Sequence, residues 1–407
     1  MKICCLFSLF PDIENDIKRS KAPNPVSSHH VQMNVVDGLI ANGCDVIIIN
    51  TPRLRSYPDY PKIFFHKCFF SYNGKQENVH IGFINLSGLN LITEIIHNFF
   101  AIKHVLKEEK IGQKVVLLTY NSYIQIMVPM LMARRLYPDR LVLCDMIGDI
   151  HGQYGIVNPT KGFKGVLIRW VNRLEDCLAS KFDTFALCTE PIAEALGVKE
   201  KPHCVVEGIY TIAKPFLEDN DQSMIKTIFY AGALIKEYGI RHLLNAFTQI
   251  KHENYVLEIA GNGDEAELVQ QYSQQYPRIH YLGILTPMQV AEHQKKATVL
   301  VNPRVFSGEF VKYSFASKNL ECLASGKPYV AHYLPCNPPE YDEVVLYPKD
   351  ESDVALAEKL EEVCELSETE RNKLAEKAYK FILKQKNPRV QCEKIVKMIK
   401  SIIGETS

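Results

Sequence analysis

From Ser314 to Pro328 the chain reads Ser314-Phe315-Ala316-Ser317-Lys318-Asn319-Leu320-Glu321-Cys322-Leu323-Ala324-Ser325-Gly326-Lys327-Pro328. A hydroxyl and an ammonium side by side at the start of a helix suit an anion. The first turn offers N–H groups without intrahelical partners and the positive end of the dipole, and Lys318 adds a full charge. Ser317 and Glu321 are four residues apart and share one helical face, so a phosphate and a sugar hydroxyl can be held together. A second group of candidates is Gly148-Asp149-Ile150-His151-Gly152. Asp149 and His151 alternate at the end of an apolar strand, where side chains face a ligand crevice, and the flanking glycines allow close approach.

The elements that must position these residues follow from the hydrophobic pattern. Val299-Leu300-Val301 is a buried strand that ends in Asn302-Pro303-Arg304, and Gly326 with Pro328 closes the helix before a strand at Tyr329-Val330-Ala331. Upstream, Lys2 to Phe7 and Asp45 to Asn50 predict parallel strands around a helix from Val31 to Ala41 that His29 and His30 begin. The pair of histidines has no further ligands and reads as a surface or acceptor contact. The loop Asp12 to Ser28 follows the first strand and is expected to reach the crevice. Further strands are expected at Ile63 to Phe70, Val79 to Ile84, Lys114 to Thr119 and Leu141 to Met146. Helices are expected at Leu91 to Lys107 and Ser122 to Leu136. A helix from Thr160 to Phe182 carries Lys161, Lys164, Arg169, Arg173 and Trp170; the expectation is that Trp170 packs on the sheet while the charges are solvated. Polar residues Leu217 to Ser223 read as a linker. A second sheet starts at Ile225 to Tyr230 and continues at Tyr255 to Ala260, and Pro388 is expected to break the chain before a basic helix, Val390 to Ile403.

The Ser314–Pro328 run resembles the pattern Ser-Phe-Pro-Ser-Lys-x-x-Glu-Tyr-x-x-Ser-Gly-x-Pro of nucleotide-sugar glycosyltransferases of the two-domain GT-B type, on the GT4 branch (glycosyl transferases group 1). Ala316 and Cys322 stand at two of its positions. The resemblance implies an α/β fold of two doubly wound, Rossmann-like domains facing each other across a cleft. The first would span residues 1–217, completed by a helix at 390–404, and the second, which binds the donor, residues 218–389. It implies that Ser317 and Lys318 look to the donor diphosphate and Glu321 to the ribose. Ala231 to Ile240 is similar to the family's glycine-flanked loop, with Gly232 as its first glycine. Relatives place an arginine and a lysine where this chain has Ala233 and Tyr238, which leaves Lys236 and Arg304 as the substituting cations. Gly283 and Ile284 match the loop that frames the base with backbone groups. His151 takes the place of a histidine that touches the donor sugar. Tyr313 occupies the place of a donor-sugar glutamate, with Glu309 its stand-in, and Asp149 and Glu309 are candidates to face the sugar cation.

The activity implied is retaining, metal-independent hexosyl transfer from a nucleoside-diphosphate sugar, of UDP or GDP type, to a glycan or lipid-linked acceptor, in surface polysaccharide or glycoconjugate biosynthesis. No cofactor is expected. Relatives acting on lipid-linked acceptors often sit peripherally on the inner membrane face by a basic, apolar helix, the second reading of Lys161–Arg173. Two alternatives stay open: a nucleotide-sugar 2-epimerase of the same fold, and a non-catalytic two-lobed sugar-nucleotide binding protein.

Length and charge fit this frame. A chain of 407 residues is too long for one ordinary domain. Its 47 Lys and Arg balance 47 Asp and Glu, so no overall field recruits nucleic acid or an anionic membrane. Twelve cysteines without metal-finger spacing read as reduced, mostly buried thiols of a cytoplasmic protein. No stretch reaches the roughly 18 apolar residues of a membrane span, and acidic residues follow the first strand at once, unlike a signal peptide.

Overall fold

A computed structural model describes residues 1–12, 15–16, 19, 26–110, 112–121, 123–148, 150, 162–212, 215–216, 224–306 and 308–404. Asp149, His151 and Lys161, the linker 217–223 and most of the loop after the first strand lie outside the described residues. The chain divides into two compact units: residues 1–209 with 388–407, and residues 210–387.

Unit 1 contains β1 (Lys2–Phe7), β2 (Asp45–Asn50), β3 (Phe64–Phe65), β4 (Cys68–Tyr72), β5 (Lys75–His80), β6 (Phe83–Ile84), β7 (Val115–Tyr120), β8 (Leu141–Ile147), β9 (Thr184–Leu187) and β10 (His203–Val205). The sheet order is β10-β9-β8-β7-β1-β2-β5-β4, with β3 and β6 forming a separate antiparallel ribbon. β1 and β8 are buried along their whole length, because helices cover both faces of a parallel sheet and every residue of its central strands meets apolar side chains. The chain leaves β1 for β2 on one side and takes up β7 on the other, so the strand order reverses between β1 and β7.

Two expectations are corrected in this unit. The runs Ile63 to Phe70 and Val79 to Ile84 are not two long strands but the four short strands β3 to β6. Tyr72-Asn73-Gly74-Lys75 folds as a two-residue hairpin with φ of +48° at Asn73 and +78° at Gly74, which returns β4 antiparallel to β5 at the sheet edge. Trp170 does not pack on the sheet. The helix Gly162–Ala179 buries only Gly165, Glu175 and Ala179 among its described side chains, and Trp170 is 66% exposed beside exposed Val166 and Leu167.

The last helix, Pro388–Ile403, belongs to the core of unit 1 through Cys392, Ile395, Val396 and Ile399. Pro388 opens this helix rather than breaking the chain ahead of it, since a first-turn residue needs no N–H partner. A Cβ on Gly38 would meet the Pro388 carbonyl at 2.3 Å, so the helix lies directly on backbone. Asn42 Nδ2 donates to the Arg389 carbonyl at 2.7 Å, and Lys394 Nζ donates to the Val205 carbonyl at 3.1 Å.

Unit 2 holds β11 (Lys226–Ala231), β12 (Tyr255–Ala260), β13 (Ile279–Gly283), β14 (Val299–Asn302) and β15 (Tyr329–Ala331), all parallel, in the order β13-β12-β11-β14-β15. β11 is followed by β12 on one side and flanked by β14 on the other. The order therefore reverses between β11 and β14, the place where open α/β sheets bind ligands beyond their carboxyl ends. Helix starts are fixed by local chemistry. Thr286 and Gln289 form a capping box ahead of Pro287–Lys296, as Ser367 and Glu370 do ahead of Glu368–Gln385.

Candidate active site

A pocket of about 270 Å³ opens at the β11/β14 reversal. One wall is the end of β11 and the turn after it: Tyr230, Ala231, Gly232, Ala233 and Tyr238. The other is the end of β14 with Asn302 and Arg304, and Ser314 to Lys318 with Cys322 complete it from the following helix start. Four residues singled out in the sequence thus share one pocket: Gly232, Arg304, Ser317 and Lys318.

The loops can meet because backbone approaches backbone. A Cβ on Gly261 would lie 1.8 Å from the Gly232 carbonyl, and Gly261 N–H donates to the Gly283 carbonyl at 2.8 Å, so the loops after β11, β12 and β13 are locked together. Gly239 has φ of +77°, and a Cβ there would lie 2.1 Å from the Pro303 carbonyl. The turn after β11 is thereby seated against the residue that precedes Arg304.

Arg304 is buried, 6% exposed, and its Nη2 donates to Ser314 Oγ at 2.8 Å. Its guanidinium lies 5.4 Å from the centre of the Tyr238 ring. A tyrosine face thus backs an arginine that arrives from another loop. Lys236, by contrast, is exposed on the short turn Lys236–Tyr238 and is not a pocket wall.

Ser317 and Lys318 start the helix Lys318–Ala324, and Ser317 makes no side-chain cap bond. The N–H groups of Asn319 and Leu320 donate to the carbonyls of Ala316 and Ser317 at 2.8 and 3.1 Å. This corrects the expectation of unpartnered first-turn N–H groups: two of them close the turn, and side chains carry most of the site's capacity for an anion. Lys318 Nζ pairs with Glu321 Oε2 at 3.3 Å, and Gln294 Nε2 donates to Glu321 Oε1 at 3.1 Å. Glu321 is not itself a wall, but both of its partners are. The pair is half exposed and contributes on the order of 0–1 kcal/mol to the fold, so it can open for a ligand.

Behind the pocket a short polar ladder sets the register. The Tyr329 hydroxyl donates to Asn319 Oδ1 at 2.6 Å, and Asn302 Nδ2 reaches the same oxygen at 3.4 Å. Burial, with the Glu321 carboxylate beside it, pushes the Cys322 thiol up to about 12, so it stays a neutral thiol and no nucleophile at neutral pH. Burial likewise raises the Tyr230 phenol well above its usual range, and its hydroxyl donates to the Ala233 carbonyl at 3.0 Å.

Gly283 ends β13 with φ of +69°, and Ile284 is 74% exposed; neither lines the pocket. Glu309 begins the short turn Glu309–Tyr313, and its side chain lies outside the description. The N–H of Gly148, next to Asp149, donates to Asn121 Oδ1 at 2.7 Å, close to the strand reversal of unit 1. His29 Nδ1 accepts from the Phe10 N–H at 3.1 Å and so ties the helix Val26–Ala41 to the end of β1.

Tyr230, Asn302, Ser314 and Gln294 were not singled out in the sequence. Asn302 and Ser314 had a signal, as the polar end of an apolar strand and as the first residue of the quoted run. Gln294 had none, since only packing brings its helix to the pocket.

Residues 225–365 match the model of a family described as glycosyl transferases group 1. No curated protein matches the sequence. Among solved structures the chain is similar to sucrose-phosphate synthase from Thermosynechococcus elongatus, with a TM-score of 0.62 and 14% identity over 99% of this chain and 100% of that one. It is also similar to the catalytic domain of starch synthase IV from Arabidopsis thaliana bound to ADP and acarbose, with a TM-score of 0.61 and 10% identity over 99% of both chains. A third is HepE from Anabaena in complex with UDP, with a TM-score of 0.58 and 13% identity over 98% of this chain and 100% of that one. The second unit thus matches glycosyl transferases group 1 over most of its length, and the likeness in fold along nearly the whole chain gives it the GT-B fold.

Proposed function

We propose that this protein is a glycosyltransferase that moves a hexosyl group, with retention and without a metal, from a nucleoside-diphosphate sugar to a glycan or lipid-linked acceptor in surface polysaccharide or glycoconjugate biosynthesis. The observation that carries it is the convergence of Arg304, Lys318, Ser314 and Ser317 on one pocket at the β11/β14 reversal. The UDP and ADP complexes of two proteins of similar fold add support for a nucleoside diphosphate.

The difficult step is the departure of the nucleoside diphosphate. The bond from the anomeric carbon to the phosphate oxygen breaks, negative charge grows on that oxygen, and the carbon becomes cationic. The acceptor oxygen then bonds to the carbon on the same face, and its proton passes to the departing phosphate. Lys318, released from Glu321, and Arg304, held by Ser314, stabilise the growing charge; once bound donor displaces water from the pocket, two such cations are worth several kcal/mol. Glu321 then accepts from the ribose hydroxyls. His151, Asp149 and Glu309 are assigned to the sugar by the resemblance.

Incubation with UDP-, GDP- and ADP-sugars, ranked first by thermal shift, tests this reading. The expected result is free nucleoside diphosphate in equal amount to glycosylated acceptor. An epimerised donor would replace transfer by 2-epimerisation, and tight binding without turnover would leave a binding protein.

A further inference from the structure

Unit 1 has a cavity of its own, of about 410 Å³, between the β3–β6 ribbon, the end of β5 and the helix Leu89–Glu108. Phe64, Ile81, Phe83 and Phe100 form its walls. Phe64 and Phe100 are each 59% exposed although both line it, so the cavity opens to water through apolar edges. Exposed Phe69, Ile92 and Ile96 extend the apolar surface around it. The cavity's volume falls within the range of roughly 300–1,000 Å³ of sites that hold small molecules.

The polar side chains that line this cavity are Lys67, His66, His97 and the neutral Thr93. Among the described residues no Asp or Glu lines it. Lys62 Nζ lies 4.7 Å from the Phe65 ring and Lys103 Nζ 5.7 Å from the Phe99 ring, which adds two ammonium groups beside the same ribbon and helix. His97 Nδ1 donates to the Gly82 carbonyl at 2.5 Å and ties helix to ribbon, so the cavity is built and not a gap between loose elements. The stacked Phe65 and Phe83 rings, 4.5 Å apart, stiffen its floor. A compact apolar hole with a cationic rim selects a ligand with a hydrocarbon part and a negative end.

We propose that this cavity holds the hydrocarbon chain of a phosphate-bearing lipid, with the chain against Phe64, Ile81, Phe83 and Phe100 and the phosphate against Lys67, Lys62 and Lys103. It rests on the lipid-linked branch of the proposed acceptor and is independent of the donor nucleotide. Apolar burial supplies the affinity, and the lysines supply the preference for an anion.

Titration of the full chain with dodecyl phosphate, below its micelle-forming concentration, decides it. Saturable binding at one site is expected. Ala101→Phe, which fills the cavity from a partly exposed position on the helix, is expected to weaken it by at least about tenfold, with the melting temperature as control. Lys67→Glu is expected to weaken dodecyl phosphate by about tenfold and to leave neutral dodecyl maltoside unchanged. Absence of saturable binding, equal binding by Ala101→Phe, or equal affinity of the wild type for the neutral detergent overturns the proposal. So does equal sedimentation of wild type and Ala101→Phe with phosphatidylcholine vesicles containing phosphatidylglycerol when dodecyl phosphate does not bind, for that is flat adsorption without chain capture. UDP binding in the same preparations reports the donor side separately, so failure here and failure of the transferase reading are told apart.

Discussion

Lys318 and Arg304 are both cations of one pocket, but they are held differently. Lys318 is half exposed and paired with Glu321, whereas Arg304 is buried against Ser314 and the face of Tyr238. Replacing Lys318 with Ala is expected to lower turnover by at least about a hundredfold, because a lost charge on the leaving group costs roughly 3 kcal/mol, while the melting temperature stays close to wild type. Near-native kinetics would remove Lys318 from the diphosphate. A second residue-scale effect concerns His332. It is buried, its Nε2 lies 2.8 Å from His242 Nε2, and His242 Nδ1 pairs with Asp353. Burial, and then the neighbouring His242, lowers the His332 pKa to about 4. Unfolded, the same ring takes a proton near pH 6.5, so between those values the unfolded chain binds more protons than the folded one. Stability is therefore full above about pH 6.5 and falls as pH drops toward 4, by up to roughly 3 kcal/mol. Chemical denaturation of wild type and His332→Gln across that window checks it: the acid loss should shrink in the variant, and an unchanged slope would exclude His332 as its source.

At the scale of elements, the pocket depends on short turns whose backbones touch. Gly239→Ala would place a methyl group against the Pro303 carbonyl at a left-handed backbone position. The strain is on the order of 2 kcal/mol, enough to lower the melting point of unit 2 by roughly 4–8 °C. Since Pro303 precedes Arg304, nucleoside diphosphate affinity should fall as well; calorimetry would show this, and loss of stability with intact affinity would mean that Arg304 is positioned independently of the turn. In unit 1, the Asn73-Gly74 hairpin has the complementary role of capping the sheet with an antiparallel edge strand.

For the whole molecule, equal numbers of positive and negative side chains leave no global attraction to a membrane, so any contact must be local. The helix Gly162–Ala179 offers such a place, with Trp170, Val166 and Leu167 exposed beside Arg169 and Arg173. No helix among the described residues is long and apolar enough to cross a membrane. Flotation with anionic liposomes is expected to carry the protein at low salt and release it at high salt, since each of Lys161, Lys164, Arg169 and Arg173 adds about 1 kcal/mol near anionic lipid. Binding that survives replacement of all four cations, or no binding at low salt, would end this assignment.

What the sequence determined by itself was whatever is encoded locally. Apolar runs such as Val299–Val301 specify buried parallel strands, because a strand covered on both faces has no room for polar residues. The order Ser317-Lys318-x-x-Glu321 specifies one helical face, because four residues make about one turn. The hairpin at Asn73-Gly74 was written there too, though the long apolar runs around it masked its signal. Tertiary structure alone decided that Arg304 crosses to Tyr238, that Gln294 reaches Glu321 from a helix far away in sequence, and that Trp170 stays in solvent. Each of these depends on which surfaces meet when strands come together in an order different from that of the chain, and no local pattern carries that information.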